Sequence, residues 1–217
     1  MRTNLANNEE DLQNFVNSFN KPEPTGDTHS LNPSRRMHRY WPVPESYENK
    51  LPEPGEMGSF WEDREDRYHC GIDLYCDEDA IVLAIESGLV INKTEFTSYN
   101  KTPYHETTYS VLIKSKENVI YKYCELKEIN VKIGDFIFGG QQIGTIAKSL
   151  NPELLDFDTP FYIRELVQQG YLCMLHLELY KSPISEVQPY QYGNFLGRRK
   201  PDSVINPFYY LNGLEKK

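Results

Sequence analysis

Short runs of apolar residues, broken by glycines and polar turns, dominate the chain from residue 60 onward. Residues 80–85 (Ala-Ile-Val-Leu-Ala-Ile) read as a strand, interrupted at Ser87-Gly88 and resumed at residues 89–91. Residues 109–114 and 118–124 read as a hairpin turning at Lys116-Glu117. Residues 133–140 and 142–146 predict short strands with glycine corners. Only residues 159–169 have a helical pattern, with Thr159 as the expected cap, Pro160 in the first turn and Gly170 as the stop. Residues 171–180 then predict another strand, whose alternation puts Met174, His176 and Glu178 on one face. Many short strands and one helix predict a mostly β domain, a compact antiparallel sheet or barrel-like fold.

Residues 1–55 have a different texture. Leu12, Phe15, Val16 and Phe19 are spaced for a short amphipathic helix, and Pro22, Pro24, Pro33, Pro42, Pro44, Pro52 and Pro54 then break up an extended segment. This pattern predicts an irregular N-terminal arm, in which Tyr40 and Trp41 suggest packing.

At 217 residues the chain is long enough for one well-buried core. Its net charge of -9 argues against nucleic acid as the main partner, because phosphate contacts need clustered Lys and Arg. No apolar run approaches the ~18 residues of a membrane span. The first ten residues lack the positive-then-apolar pattern of a signal peptide, so the expectation is a cytoplasmic protein or one exported by a signal-independent route. Cys70, Cys76, Cys124 and Cys173 match neither a CxxC zinc site nor a disulfide scaffold, and buried thiols are expected. Whether Cys124 and Cys173 face each other on neighbouring strands stays open.

The candidate chemistry lies in residues 67–74 (Arg-Tyr-His-Cys-Gly-Ile-Asp-Leu) and 174–179 (Met-Leu-His-Leu-Glu-Leu). His69, Asp73 and His176 make up the donor set of an open zinc site, with a fourth position for water. On a regular strand, positions 69 and 73 would be ~13 Å apart. A shared ion therefore requires a bend, and Gly71 permits one.

Arg67, His69, Gly71 and Asp73, followed by Ala84, Gly88 and Val90, resemble the opening of the LytM/lysostaphin-type zinc metallopeptidases. Residues 123–135, Gly140 and residues 142–144 are similar to the family's middle block. Residues 175–179 are similar to its final metal strand, and Asn206-Pro207 with Tyr210-Leu211 to its closing segment. The resemblance implies a compact antiparallel β domain over residues 56–213, with one zinc ion at the floor of a groove held by His69, Asp73 and His176. It also implies cleavage of peptide bonds, typically in bacterial cell-wall cross-links.

This chain departs from the family at both positions where a histidine assists the chemistry. Glu125 stands at one, as a general base or a fourth ligand, and Met174, which offers no useful donor, stands at the other. Residues 148–170 form an insert where the family has a short glycine-rich turn. His105 is a candidate substitute for a lost histidine, and His29 and His38 are candidate plugs from the arm. The expected function is a zinc-binding domain with impaired or altered hydrolysis that binds a peptide, a peptidoglycan-like ligand or a protein partner. The alternative is an active zinc endopeptidase with Glu125 as base.

Overall fold

A computed structural model describes residues 39–48, 50–183 and 190–214. The chain divides into two units, residues 1–38 and 39–217, and the first lies wholly outside the described residues. The expected helix near residues 12–19, His29 and His38 fall there.

Among the described residues, twelve short strands build two antiparallel sheets. The main one centres on β9 (Met174–Lys181) and β6 (Val119–Ile129). From β6 it runs through β5 (Tyr109–Ser115) and β4 (Gly88–Glu95) to β7 (Phe136–Ile137). On its far side β9 pairs with β2 (Ile72–Tyr75) and β12 (Val204–Ile205). A branch through β8 (Gln142–Ile146) connects β6 to β3 (Ile81–Leu83). The small sheet contains β1 (Tyr68–His69), β10 (Tyr190–Gln191) and β11 (Asn194–Phe195). The fold is mostly β and antiparallel, as its alternating runs imply, but the main sheet does not close into a barrel.

Burial explains the strand sequences. All but the last residue of β9 are buried, which fits a near-continuous apolar run between two neighbouring strands. His176 and Glu178 are the polar exceptions. Leu175, Leu177 and Leu179 join Ile72, Leu74, Val111, Ile113, Tyr121 and Tyr123 in the core. Trp41, Val43 and Leu51 belong to the same cluster. Backbone bonds from Tyr40 to Ile85 and from Leu83 to Pro42, both 2.8 Å, fix this segment to the sheet.

Several elements differ from the sequence pattern. Residues 81–83 and 88–95 are separate strands with different partners. The helix α1 (Phe161–Gln169) does end at left-handed Gly170, but Pro160 occupies its N-cap position. The Thr159 hydroxyl turns away to Asp156. The insert also holds a 3-10 turn, Pro152–Leu154, and a second short helix, α2 (Phe208–Leu211), follows β12. No helix among the described residues is long and apolar enough to cross a membrane.

Candidate metal centre

His69 and Asp73 come together because the strand carrying them breaks between two sheets. β1 pairs with β11, whereas β2 pairs with β9, so the chain turns at Cys70-Gly71. Gly71 has an ordinary backbone conformation, and close approach is what demands a glycine. A Cβ there would lie 2.3 Å from the Leu177 carbonyl oxygen and 2.9 Å from His176 Cε1. Register does the rest, placing Asp73 directly opposite His176.

Three donor atoms converge. His69 Nε2 lies 2.9 Å from His176 Nδ1, which lies 2.8 Å from Asp73 Oδ1, and the remaining side of the triangle is 3.2 Å. Ligand atoms on a tetrahedral zinc with bonds of ~2.0–2.1 Å sit ~3.3 Å apart, so the triangle fits one face of such a site with slight contraction. Among the described residues this is the one cluster of three suitable side chains.

Each donor is oriented by a second partner. His69 Nδ1 donates to the Ser59 carbonyl at 2.8 Å, which leaves its Nε2 lone pair facing inward. His176 Nε2 donates to Glu178 Oε1 at 3.0 Å, freeing Nδ1. Asp73 Oδ2 accepts from Arg64 Nη2 at 3.2 Å. Carboxylates and carbonyls behind the imidazoles are the usual support of a metal site. Three acceptors this close repel one another unless a cation stands between them, and that cation is a proton or a metal ion.

The electrostatics agree. Burial and the nearby Arg64 push the His69 pKa down, keeping it a neutral donor. Burial opposes charge on His176, but hydrogen bonds to Asp73 and Glu178 outweigh it and raise the pKa to about 9. Burial also works against an ionised Asp73, yet the facing histidines hold its carboxyl well below the usual range. Glu178, fully buried, is held low by Lys122 at 2.9 Å and by His176, and it accepts from the Tyr180 and Tyr190 hydroxyls.

A cavity of about 290 Å³ opens beside the triad and includes Asp73, His176, Glu125, Met174 and His105 in its lining. Glu125 follows Cys124, the register partner of His176, and has a left-handed backbone with φ 64°. Such a conformation is costly for glutamate. Burial raises its pKa, with hydroxyls of Ser149 and Thr108 pulling the other way, and Thr97 Oγ1 lies 3.5 Å from Oε2. Met174 is buried in an apolar cluster with Leu150, Ile163 and Leu166 of the insert. His105 pairs with Leu150 in an isolated bridge, and burial holds its pKa down to about 4. All four cysteines are free.

Three features escaped the sequence. Arg64 is buried, bonded to Glu62, Asp73 and Asn194, and covers the Tyr162 ring at 4.4 Å. Nothing in its local pattern marks it. Glu178 was marked only by sharing a face with His176. The turn between β10 and β11 packs on the metal face, where a Cβ at Gly193 would lie 2.5 Å from His176 Nε2.

An antiparallel β domain with a buried His-Asp-His triad beside a cavity is of metallopeptidase-like construction. Residues 67–159 match the profile of Peptidase family M23, and this part of the chain is similar to that family's LytM-like domain. The match ends before His176, whose place rests on the geometry above. Similar solved structures include the antimicrobial peptidase lysostaphin from Staphylococcus simulans, at 16% identity over 81% of this chain and 53% of that one, TM-score 0.44. The SpoIIQ–SpoIIIAH pore-forming complex matches at 19% identity over 83% and 92%, TM-score 0.47. A zinc-containing peptidase from Vibrio cholerae matches at 19% over 66% and 36%, TM-score 0.42. This chain thus spans about half of lysostaphin and about a third of the Vibrio peptidase. No curated protein matches it.

Proposed function

We propose that the chain is a zinc-holding LytM-like domain that receives a peptide-like ligand, or a segment of a protein partner, in the cavity beside the triad. Its hydrolytic chemistry is impaired or altered. The observation that carries this reading is a complete, outwardly braced donor triad beside positions 125 and 174, where glutamate and methionine replace the family's histidines. Peptides of the bacterial cell-wall type are the ligand class the family suggests.

Zinc, when bound, supplies a Lewis acid that polarises a carbonyl and acidifies water. The chain's own residues do the rest. Ser59, Glu178 and Arg64 fix the orientation of the three donors. Met174 has no proton to give and its side chain is committed to Leu150, Ile163 and Leu166, so it offers a developing oxyanion nothing. Losing one such donor costs ~10²–10³ in rate.

The second reading, an active endopeptidase, is favoured by one observation. Burial raises the pKa of Glu125, the direction a general base requires, and it lines the same cavity as the triad.

Zinc-loaded protein and its Glu125→Gln variant, assayed on cell-wall cross-link peptides for binding and cleavage, separate the two. Binding without turnover in either protein supports the primary reading. Turnover abolished by Glu125→Gln with zinc retained establishes the second. Neither binding nor turnover overturns both.

A further inference from the structure

The ladder that sets Asp73 opposite His176 runs on to a pair of cysteines. β2 and β9 also pair Leu74 with Leu175 and Tyr75 with Met174, so the next positions in the same register are Cys76 and Cys173. The Cys76 N–H donates to the Cys173 carbonyl at 3.3 Å, which continues the ladder by one bond. Strand alternation puts both side chains on the core face. Cys76 belongs to the core cluster with Ile72, Leu74, Leu175 and Leu177, and Cys173 packs against that cluster. Hydrogen-bonded opposite residues have Cα atoms ~5.5 Å apart, inside the ~4.4–6.8 Å that a disulfide spans. Their Cβ atoms, ~4.5–5.5 Å apart in such a pair, need to close by about 1 Å.

The other two cysteines lie elsewhere. Cys124 is opposite His176, about 10 Å along β9 from Cys173, and Cys70 packs in a different apolar cluster. Within the pair, Cys173 is half-buried and Cys76 fully buried. Burial pushes the Cys76 thiol pKa up to about 12 and that of Cys173 up to about 11. Lys148, which bridges Cys173 on its other side, favours the Cys173 thiolate. Thiol exchange therefore starts at Cys173.

We propose that Cys76 and Cys173 are a paired redox site, joined into an intramolecular disulfide by exchange with a low-molecular-weight disulfide. The Cys173 thiolate attacks one sulfur of that reagent, forming a mixed disulfide and releasing one thiol. The Cys76 thiolate then attacks the Cys173 sulfur and releases the second. The chain gives up two electrons and two protons, and the reagent leaves as two thiols. The new bond lies three residues beyond Asp73 and three before His176, so it clamps the ladder that sets their register. It also ties down the point where the insert rejoins β9. The inference goes beyond the proposed function and does not depend on a bound metal.

The test exposes the reduced full chain to bis(2-hydroxyethyl) disulfide at mildly alkaline pH. This reagent is neutral, so the acidic turn at Asp77, Glu78 and Asp79 does not repel it. Exposure is made both to the folded chain and during refolding from urea, so that burial cannot hide a pair the fold brings together. Thiol counting and mass spectrometry of a non-reducing digest should show two of the four thiols lost and one peptide pair, joined through Cys76 and Cys173. Under the same exposure Cys173→Ser should leave Cys76 reduced, and Cys76→Ala should leave Cys173 as the mixed disulfide. The oxidised chain should unfold roughly 5–10 °C above the reduced one, because the bond closes a long loop. No cross-link under either exposure, a cross-link through Cys70 or Cys124, or a mixed disulfide that persists at Cys173 beside a reduced Cys76 overturns the inference. An oxidised chain that unfolds no higher than the reduced one overturns the clamp.

Discussion

His69 Nε2 and His176 Nδ1 face each other at 2.9 Å, and each ring spends its other nitrogen on a partner behind it, Ser59 for one and Glu178 for the other. Once the proton that Asp73 and Glu178 hold on His176 is displaced, two inward lone pairs beside an ionised Asp73 make a cation site. The bracing carboxylate should matter as much as a ligand's own environment does. Glu178→Gln is expected to weaken zinc binding by about 10–100-fold in chelator competition. It should also cost about 3–5 kcal/mol in denaturant unfolding, because the mostly buried Lys122 loses its fully buried counter-charge. Unchanged zinc affinity would remove Glu178 from the site.

The turn over His176 offers two substitutions of opposite sign. Tyr192 and Gly193 have φ values of 44° and 81°, the two left-handed positions of a tight hairpin turn. Asparagine suits the first position better than tyrosine, so Tyr192→Asn should raise stability by about 1 kcal/mol. Gly193→Ala should lower it by about 1–3 kcal/mol, since the methyl meets His176. Thermal unfolding of both variants checks the pair, and a stabilising Gly193→Ala would mean that the turn does not pack on the imidazole.

Restoring a histidine at position 174 should not by itself restore the family's chemistry. Met174 is packed with Leu150, Ile163 and Leu166, and an imidazole there buries polar atoms among them. Met174→His is expected to cost about 1–3 kcal/mol, and Met174→Leu less than about 1.5. Equal stability of the two variants would show that the position faces the cavity more than the apolar cluster.

His105 predicts a pH dependence. Its pKa is near 4 in the folded chain and about 6.5 when unfolded, so the unfolded chain binds the proton first. Its contribution is present above about pH 6.5 and is lost as pH falls toward 4, by at most ~1.4 kcal/mol per unit. The ring is partly exposed, which reduces the total to about 1–2 kcal/mol. Denaturant midpoints between pH 7 and 4 should fall less steeply in His105→Asn than in the parent chain. Parallel slopes would place the loss elsewhere.

Much of the fold was legible because its strands alternate or run apolar. β5, β6, β8 and β9 all coincide with runs visible in the sequence. The triad was legible because His69, Gly71 and Asp73 lie within five residues and His176 interrupts an apolar run. What the sequence concealed depends on long-range register. Nothing local says that Asp73 falls opposite His176, that Arg64 reaches Asn194, or that residues 190–195 return to cover the site. Thr159 looked like a helix cap, but a local hydrogen bond to Asp156 competes for its hydroxyl. Gly71 looked like a hinge, but the Leu177 carbonyl leaves no room for a Cβ.

The central claim is that His69, Asp73 and His176 hold a zinc ion, and elemental analysis of the purified protein beside a His176→Ala variant tests it most directly. The account predicts about one zinc per chain, lost in the variant while the β fold persists. A folded parent chain without zinc, or a variant that keeps it, would contradict the account.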